Sequence, residues 1–353
     1  MLAEIQTELI NNLGLDQVTL IPLGQPITIS FYNKWLNQNY YGSMNYLKDH
    51  VEYKSDPRKI NPDYRSVISV TQSYFPVVHK TSVTLPARTA LYAQNSDYHF
   101  WLKEKLNQAI TLLQTKYPNE IFAPYVDSGP ILEKDIGYRA GHGWFGKNSC
   151  LIHPKKGSLF FVAEILTSLQ FENQNDFEII PQRDMCGTCT RCMDICPTGA
   201  IIEPKVIKAD QCISYLTIES KTTPPIEMRP QINDWFFGCD LCQTVCPWNE
   251  KVFREKKIPM THLTSTLPML DIDPNEYEAL VIFFKMILTS SNKSLQKYFY
   301  GTALHRAGGF FLKFNALIVI ANRKMIELQT EVQSLLNDPK LAELAAWTAR
   351  QLN

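Results

Sequence analysis

The sequence predicts a core of the α/β or α+β class, followed by a cysteine-rich insert and an all-helical end. Three observations carry that reading. Strand-like runs alternate with helix-length amphipathic segments through residues 1–175, the pattern of layered sheet-and-helix folds. Eight of the nine cysteines fall between residues 176 and 250. From 251 to 353 the spacing is helical, with breaks at Ser290-Ser-Asn, Gly308-Gly and Asp338-Pro.

In order, Met1 to Asn12 reads as a short amphipathic helix ending at Gly14, and Val18 to Pro22 as a strand. Phe31 to Glu52 carries Tyr32, Trp35, Leu36 and Tyr40 at helical spacing, then Met44 and Leu47. Arg65 to Tyr74 is β-branched and apolar, the signature of a buried strand. Asp97 to Tyr117 repeats apolar residues every three or four positions, as a helix does, and Phe122 to Val126 is a further strand. Beyond Pro247 the expected helices are Pro274–Met286, Leu295–His305, Phe310–Arg323 and Leu341–Leu352.

With 45% apolar and 20% charged residues, the chain has the composition of a globular protein. Its 35 basic and 35 acidic groups cancel, but unevenly. Between Ala279 and Ile326 stand Lys285, Lys293, Lys297, Arg306, Lys313, Arg323 and Lys324 with no acidic residue, which leaves 28 basic against 35 acidic groups elsewhere. No run of 18 apolar residues is free of charge, and the first residues lack the charged and apolar regions of a signal peptide. A cytoplasmic monomer without a membrane partner is expected.

Cys186-Gly-Thr-Cys189-Thr-Arg-Cys192-Met-Asp-Ile-Cys196-Pro197 has the spacing C-x2-C-x2-C-x3-C-P. In bacterial ferredoxins this run holds one iron–sulfur cluster with three cysteines and sends the fourth to a second cluster. Cys239-Asp-Leu-Cys242-Gln-Thr-Val-Cys246-Pro247 is a second run lacking the leading cysteine, and Cys212 stands upstream as the eighth ligand. Two [4Fe–4S] clusters are therefore expected, one on Cys186, Cys189, Cys192 and Cys246, the other on Cys196, Cys212, Cys239 and Cys242. The alternatives are zinc, which usually takes two separated CxxC knuckles, and disulfides, which a reducing compartment disfavours. Cys150 belongs to neither run and reads as a small buried hydrophobe.

Tyr125 to Glu164 is the second informative stretch, with Gly129, Gly137, Gly141, Gly143 and Gly146 close together. Such density lets backbone approach a large ligand. The segment Gly141-His-Gly143-Trp-Phe-Gly146 follows a helical segment rather than a strand, so it is no dinucleotide fingerprint. Asp127, before Ser-Gly-Pro, suits either an Asx-turn or a functional acid. Lys147 and Asn148 suit surface positions equally well.

Together, Asp127-Ser-Gly-Pro, Arg139-Ala-Gly-His-Gly-Trp-Phe-Gly-Lys-Asn148, the two cysteine runs and Cys212-Ile-Ser-Tyr-Leu-Thr-Ile-Glu219 resemble the epoxyqueuosine reductase family. Arg58 after Asp-Pro and Asp97-Tyr-His99 fit the same pattern, and the resemblance runs from about Leu9 to Arg350. That family is similar to corrinoid-dependent reductive dehalogenases. The resemblance implies a cobalamin in the first domain, a ferredoxin-like insert with two [4Fe–4S] clusters, and a HEAT-like helical domain. It implies reduction of epoxyqueuosine to queuosine at the wobble position of tRNA, with Asp127 as proton donor. Arg58, Ser214 and the backbone near Ala90, Leu151 and Val162 correspond to cobalamin contacts. The partners implied are tRNA and an external low-potential electron donor.

The acid-free basic stretch suits a phosphate backbone through Lys297, Arg306, Lys313 and Arg323, or else merely solubilises an outer face. The helix bearing Lys313 and Arg323 is more apolar than the family pattern. Two other functions share parts of this sequence: a corrinoid reductase of a small substrate, such as a dehalogenase, and a plain iron–sulfur electron carrier. A carrier leaves the long stretch before Cys186 without a purpose.

Iron analysis of anaerobically purified protein should find about eight iron atoms per chain, from two four-iron cubanes. Stoichiometric zinc, or about four iron, would sink the two-cluster assignment, and Cys212→Ala should damage one cluster only.

Overall fold

The computed structural model describes residues 2–75, 81, 83, 85–170, 181–257 and 273–353. Its first half is built on a four-stranded sheet. In spatial order the strands are Gln17–Pro22, Ser66–Ser73, Phe160–Thr167 and Phe122–Tyr125, all pairing antiparallel. This is a mixed α/β core in its antiparallel form, with no βαβ crossover within the sheet.

Alternate residues of a strand face opposite sides. On one side Ile68, Val70, Ala163 and Ile165 meet Ile5 and Leu9 of the Leu2–Leu13 helix and Leu102, Leu106 and Leu113 of the Tyr98–Lys116 helix. A fully buried side chain such as Leu106 contributes about 2 kcal/mol. On the other side Val67 and Leu166 meet Ile136 and Ala140, at the Glu133–Arg139 helix. That second face is not wholly apolar. Thr19 pairs with Ser69, Ser69 with Glu164, and Glu164 with Tyr125, so a polar row crosses the sheet in register.

Asp97 starts the Tyr98–Lys116 helix as its N-cap, its carboxylate accepting from the His99 backbone N–H at 3.0 Å. A cap of this kind is worth about 1 kcal/mol. The Asp97 backbone N–H donates to the Gly301 carbonyl at 2.8 Å, tying the sheet layer to the helical end.

The expected helix over Phe31–Glu52 is broken. Ile29–Asn37 is helical, then Asn39 and Gly42 adopt positive φ (56° and 61°), and short turns follow at Asn45–Leu47 and Val51–Ser55. A Cβ on Gly42 would lie 2.6 Å from the Tyr215 ring, whose hydroxyl accepts from the Ser43 N–H. Docking on Tyr215 overrides the helical spacing. Similarly, the helix expected over Leu295–His305 is Asn292–Tyr298, then Gly301 at φ 80°, then a 3-10 turn at Ala303–Ala307.

The helices Pro274–Thr289, Gly308–Arg323 and Ala342–Leu352 share one core with Ile213, Leu216 and the Trp235–Phe237 strand of the cysteine-rich insert. The boundary expected at 175/176 lies outside the described residues, and the one at 250/251 falls inside the Pro247–Glu255 helix. The apolar run noted above is explained by burial. Leu312, Phe314 and every residue from Ala316 to Ala321 are buried. By length and composition alone Ala303–Arg323 would suffice to cross a membrane, but 67% of its apolar window is buried inside the protein.

Arg323 belongs to this core and not to a phosphate-binding surface, which corrects the expectation for it. Its guanidinium lies 3.1 Å from Asp234, with both side chains under 5% exposed. Asp234 also holds Arg88 at 2.8 Å, and Arg88 stacks on Trp235. The charge is spent on an internal carboxylate because the helix turns that face inward. Arg323→Gln should destabilise the fold by about 3–5 kcal/mol, as removing one partner of a buried pair does. Thermal melts should show the loss, while the salt dependence of RNA binding by the folded fraction stays unchanged.

Candidate active site and cluster cradle

The cysteines assemble into two groups. Cys186, Cys189, Cys192 and Cys246 line one cavity of roughly 240 Å³ together with Lys147, Asn148, Ile152 and Trp248. The loop is shaped by a Cys189 N–H bond to the Cys186 carbonyl and by Lys147, whose Nζ donates to the Gly187 and Cys189 carbonyls at 2.8 and 2.9 Å. Cys246 is the N-cap residue of the Pro247–Glu255 helix, which also supplies Glu250 to Arg191 across the cavity mouth.

In the second group Cys196, Cys212 and Cys239 each bear electrostatically on Cys242. Burial pushes the Cys239 and Cys242 thiols well above their ordinary range, and neighbouring thiols add to it. Burial, with Cys186, Cys246 and Cys189, pushes Cys192 up to about 11. Thiols so placed ionise only where a metal takes up the charge. Among the described residues no three Cys, His, Asp or Glu side chains converge on a single ion site.

Cys150 lies between the groups, bearing on Cys212, Cys242 and Cys246, with its own thiol raised by burial. Asn148 is buried, donates to the Cys242 carbonyl at 3.0 Å and accepts from the Cys150 N–H at 3.2 Å. Lys147 and Asn148 are therefore not idle surface residues. They sew the glycine-rich segment to both cysteine loops, a job that spacing in the sequence could not disclose.

Asp127 follows the Phe122–Tyr125 strand with φ at 56°, the left-handed region that Asp and Asn tolerate. Its carboxylate makes no Asx-turn bond among the described contacts; Ser128 N–H goes to the Val126 carbonyl. Asp127 Oδ2 accepts from the Tyr98 hydroxyl and lies 3.3 Å from His99 Nε2 and 4.0 Å from Arg306 Nη1. The other imidazole nitrogen, His99 Nδ1, is 2.7 Å from Asp97. Arg306 also contacts His99. A carboxylate–imidazole–carboxylate line thus runs from a buried Asp97 to a half-exposed Asp127.

Burial pushes Asp127 up, but hydrogen bonds from His99 and Tyr98 and the charges of His99 and Arg306 outweigh it and hold the carboxyl below its ordinary value. Burial likewise opposes charge on His99, yet Asp127 and Asp97 raise it overall. Burial and the Asp127 charge push Tyr98 far up, so it remains a donor. Two carboxyls missed in the sequence stand behind this line. Burial, then the Asp127 charge, raises Glu133 to about 8. Glu164, wholly inaccessible, is raised well above the usual range by burial and by Glu133 and Asp127.

The other expected site residues are scattered. Leu151 and Val162 lie together under Gly137, where a Cβ would meet Leu151 Cδ1 at 2.8 Å and Val162 Cγ1 at 3.3 Å. Ala90 is buried beside the cluster loop, its N–H on the Phe237 carbonyl and its Cβ tight against Gly238. Ser214 follows Cys212 in the Ile213–Ile218 helix. Arg58 stands apart: its described polar contacts all go to Asp56, at 2.7 Å through both Nε and Nη2. Of the basic residues, Lys297 is exposed, Arg306 is half-exposed at Asp127, and Lys313 is half-buried.

Comparison with known proteins agrees with this geometry. A family described as 4Fe-4S double cluster binding domain matches residues 185–249, so the insert is an iron–sulfur domain. One described as Epoxyqueuosine reductase QueG, DUF1730, matches residues 54–128. The chain is 38% identical over 250 residues to the epoxyqueuosine reductase of Cyclobacterium marinum, covering 70% of this chain and 76% of that one. It is 32% identical over 345 residues to the Escherichia coli enzyme, covering 96% and 86%. A crystal structure of epoxyqueuosine reductase with a tRNA-Tyr epoxyqueuosine-modified stem loop aligns with a TM-score of 0.78 at 26% identity, over 100% of this chain and 91% of that one. On sequence, fold and cysteine arrangement together, the chain belongs to the epoxyqueuosine reductase family.

Proposed function

We propose that this oxidoreductase reduces epoxyqueuosine to queuosine in tRNA, with Asp127 delivering the proton that lets the epoxide oxygen leave as water. The observation that carries the reading is the half-exposed Asp127 carboxyl, anchored by Tyr98, His99 and Arg306 and backed by an iron–sulfur domain.

The eight thiols divide as two ligand sets, Cys186, Cys189, Cys192 and Cys246, and Cys196, Cys212, Cys239 and Cys242, in a ferredoxin-like insert. Clusters of this type commonly work near roughly −400 mV, which calls for an external low-potential donor. The residues around Asp127 also fit a cobalamin. Asp127, Glu219 and Arg306, from three separate segments, all act through their charge on both Tyr46 and Tyr92, so they belong to one neighbourhood. Arg58, Ala90, Leu151, Val162 and Ser214 are the residues that would hold the cobalamin by the family pattern, Leu151 and Val162 through apolar contact and Arg58 through charge. When bound there, the corrin cobalt supplies the two-electron reducing chemistry.

The protein's own part is to bind, orient and protonate. Tyr98 and His99 fix the Asp127 carboxyl, and Asp97 fixes the His99 ring through Nδ1. Opening an epoxide puts charge on oxygen, and Asp127, with His99 behind it, stands where a proton can meet it. The HEAT-like helical end receives the RNA. Lys297 is exposed there, Lys313 is half-buried, and Arg306 joins that surface to Asp127. Phe100 and Tyr300, both exposed with ring centroids 6.3 Å apart, offer unpaired bases a stacking surface beside it.

Asp127→Asn tests the chemical role. Asn tolerates the same left-handed φ and still accepts from Tyr98, so clusters should form and tRNA should bind as before. Turnover should fall by roughly 10²-fold or more, the scale of a lost general acid. Near-normal turnover would remove Asp127 from the mechanism.

A further inference from the structure

Lys147 and Asn148 are neighbours in the sequence, yet each bonds a different cysteine group. Lys147 lines the cavity of Cys186, Cys189, Cys192 and Cys246. Its Nζ is fixed by the Gly187 and Cys189 carbonyls at 2.8 and 2.9 Å, both on the loop that carries Cys186 and Cys189. Asn148 donates instead to the Cys242 carbonyl of the other group at 3.0 Å. One group is thus met by a full positive charge and the other by a neutral amide.

The neighbouring charges at this cavity are matched. Arg191, also in its wall, is paired with Glu250 through both terminal nitrogens. Lys205, whose backbone N–H donates to the Lys147 carbonyl at 2.9 Å, has its own ammonium 2.7 Å from Asp184. Among the described residues Lys147 bonds carbonyls alone, so no carboxylate cancels its charge there. Two carbonyls hold the ammonium in place but leave it a unit charge. The cavity is also approachable, since Met185 and Arg191 in its wall are both exposed. An external electron donor can therefore come close to this group.

We infer that Lys147 raises the reduction potential of the cluster on Cys186, Cys189, Cys192 and Cys246, which eases its reduction by the external donor. This rests on the eight thiols dividing into two ligand sets as proposed above. In the step at issue the donor loses one electron and the cluster gains it, and no bond forms or breaks. The reduced cluster carries one more negative charge than the oxidised one. A fixed cation in the wall therefore stabilises the reduced form more, and net charge is among the factors that set such potentials. Asn148 brings no charge to the second group, so the effect of Lys147 falls on the first.

An anaerobic redox titration of the holoenzyme, followed by electron paramagnetic resonance, tests this, with Cys212→Ala identifying the signal of the first cluster. In Lys147→Met the ratio of reduced to oxidised first cluster at a fixed potential should fall about tenfold, or about 59 mV for a one-electron couple. Lys147→Arg should stay near the wild type, and the second cluster should not move in either variant. An unmoved first potential in Lys147→Met would overturn the inference, since a side chain that only braces the loop has no charge effect. A fall as large in Lys147→Arg would overturn it too, by pointing to loop geometry. Should Lys147→Met fail to hold the first cluster, Lys147→Gln is read in its place with the same fall expected, because its amide still donates to a loop carbonyl. If neither variant holds that cluster, Lys147 is a brace and the redox role falls. The ligand division is checked apart from this. About four iron atoms per wild-type chain removes the division itself, whereas eight with an unmoved potential sinks the Lys147 role alone.

Discussion

The arrangement depends on one residue, Asp97, engaged in three directions at once. Its carboxylate caps the Tyr98–Lys116 helix and holds His99 Nδ1, and its own N–H reaches Gly301 in the helical end. Capping fixes where that helix begins, which places Tyr98 and His99 side by side facing Asp127. The Gly301 bond then brings Arg306 to the same spot. Loss of the Asp97 carboxylate would therefore free the imidazole ring as well as fray a helix end, so its effect on the site exceeds the value of a cap.

The protein handles buried charge in three distinct ways. Arg88 and Arg323 share Asp234, so each charge is matched. Lys54 is buried but spreads its three donors over the carbonyls of Tyr46, Leu47 and Asp49. That also steadies the loop that presents Tyr46. Glu164 does neither and is left to stay protonated. The first two devices stabilise particular loops and helices, whereas the third keeps a neutral acid inside the protein.

The cysteine groups were legible in the sequence because ligand spacing is local and chemically demanding. Cys246 lining one cavity with the first three cysteines of the other run follows the ferredoxin spacing, in which the last cysteine of a run reaches across to the other group. Sheet strands and the Asp97 helix were legible from periodicity. What failed was decided by distant partners. Tyr215, far along the chain, breaks the helix expected at Phe31–Glu52. Arg323 read as a surface charge because nothing local announces Asp234. Glu133 and Glu164 gave no signal at all, since one acid in a helix and one in an apolar strand look ordinary until the strand register sets both behind Asp127.

The contact between Arg306 and His99 joins residues 207 positions apart. By contrast, the cavity of the first cysteine group closes within residues 147–248. Loop closure of such different spans implies an order of assembly. As the chain is synthesised, the cysteine loops can close before residue 301 has been made, while Asp97 waits for Gly301 and His99 for Arg306. The acid network therefore acquires its neighbours later than the cysteine loops do. A chain halted shortly before that point would carry all its cysteines yet lack a finished site for chemistry.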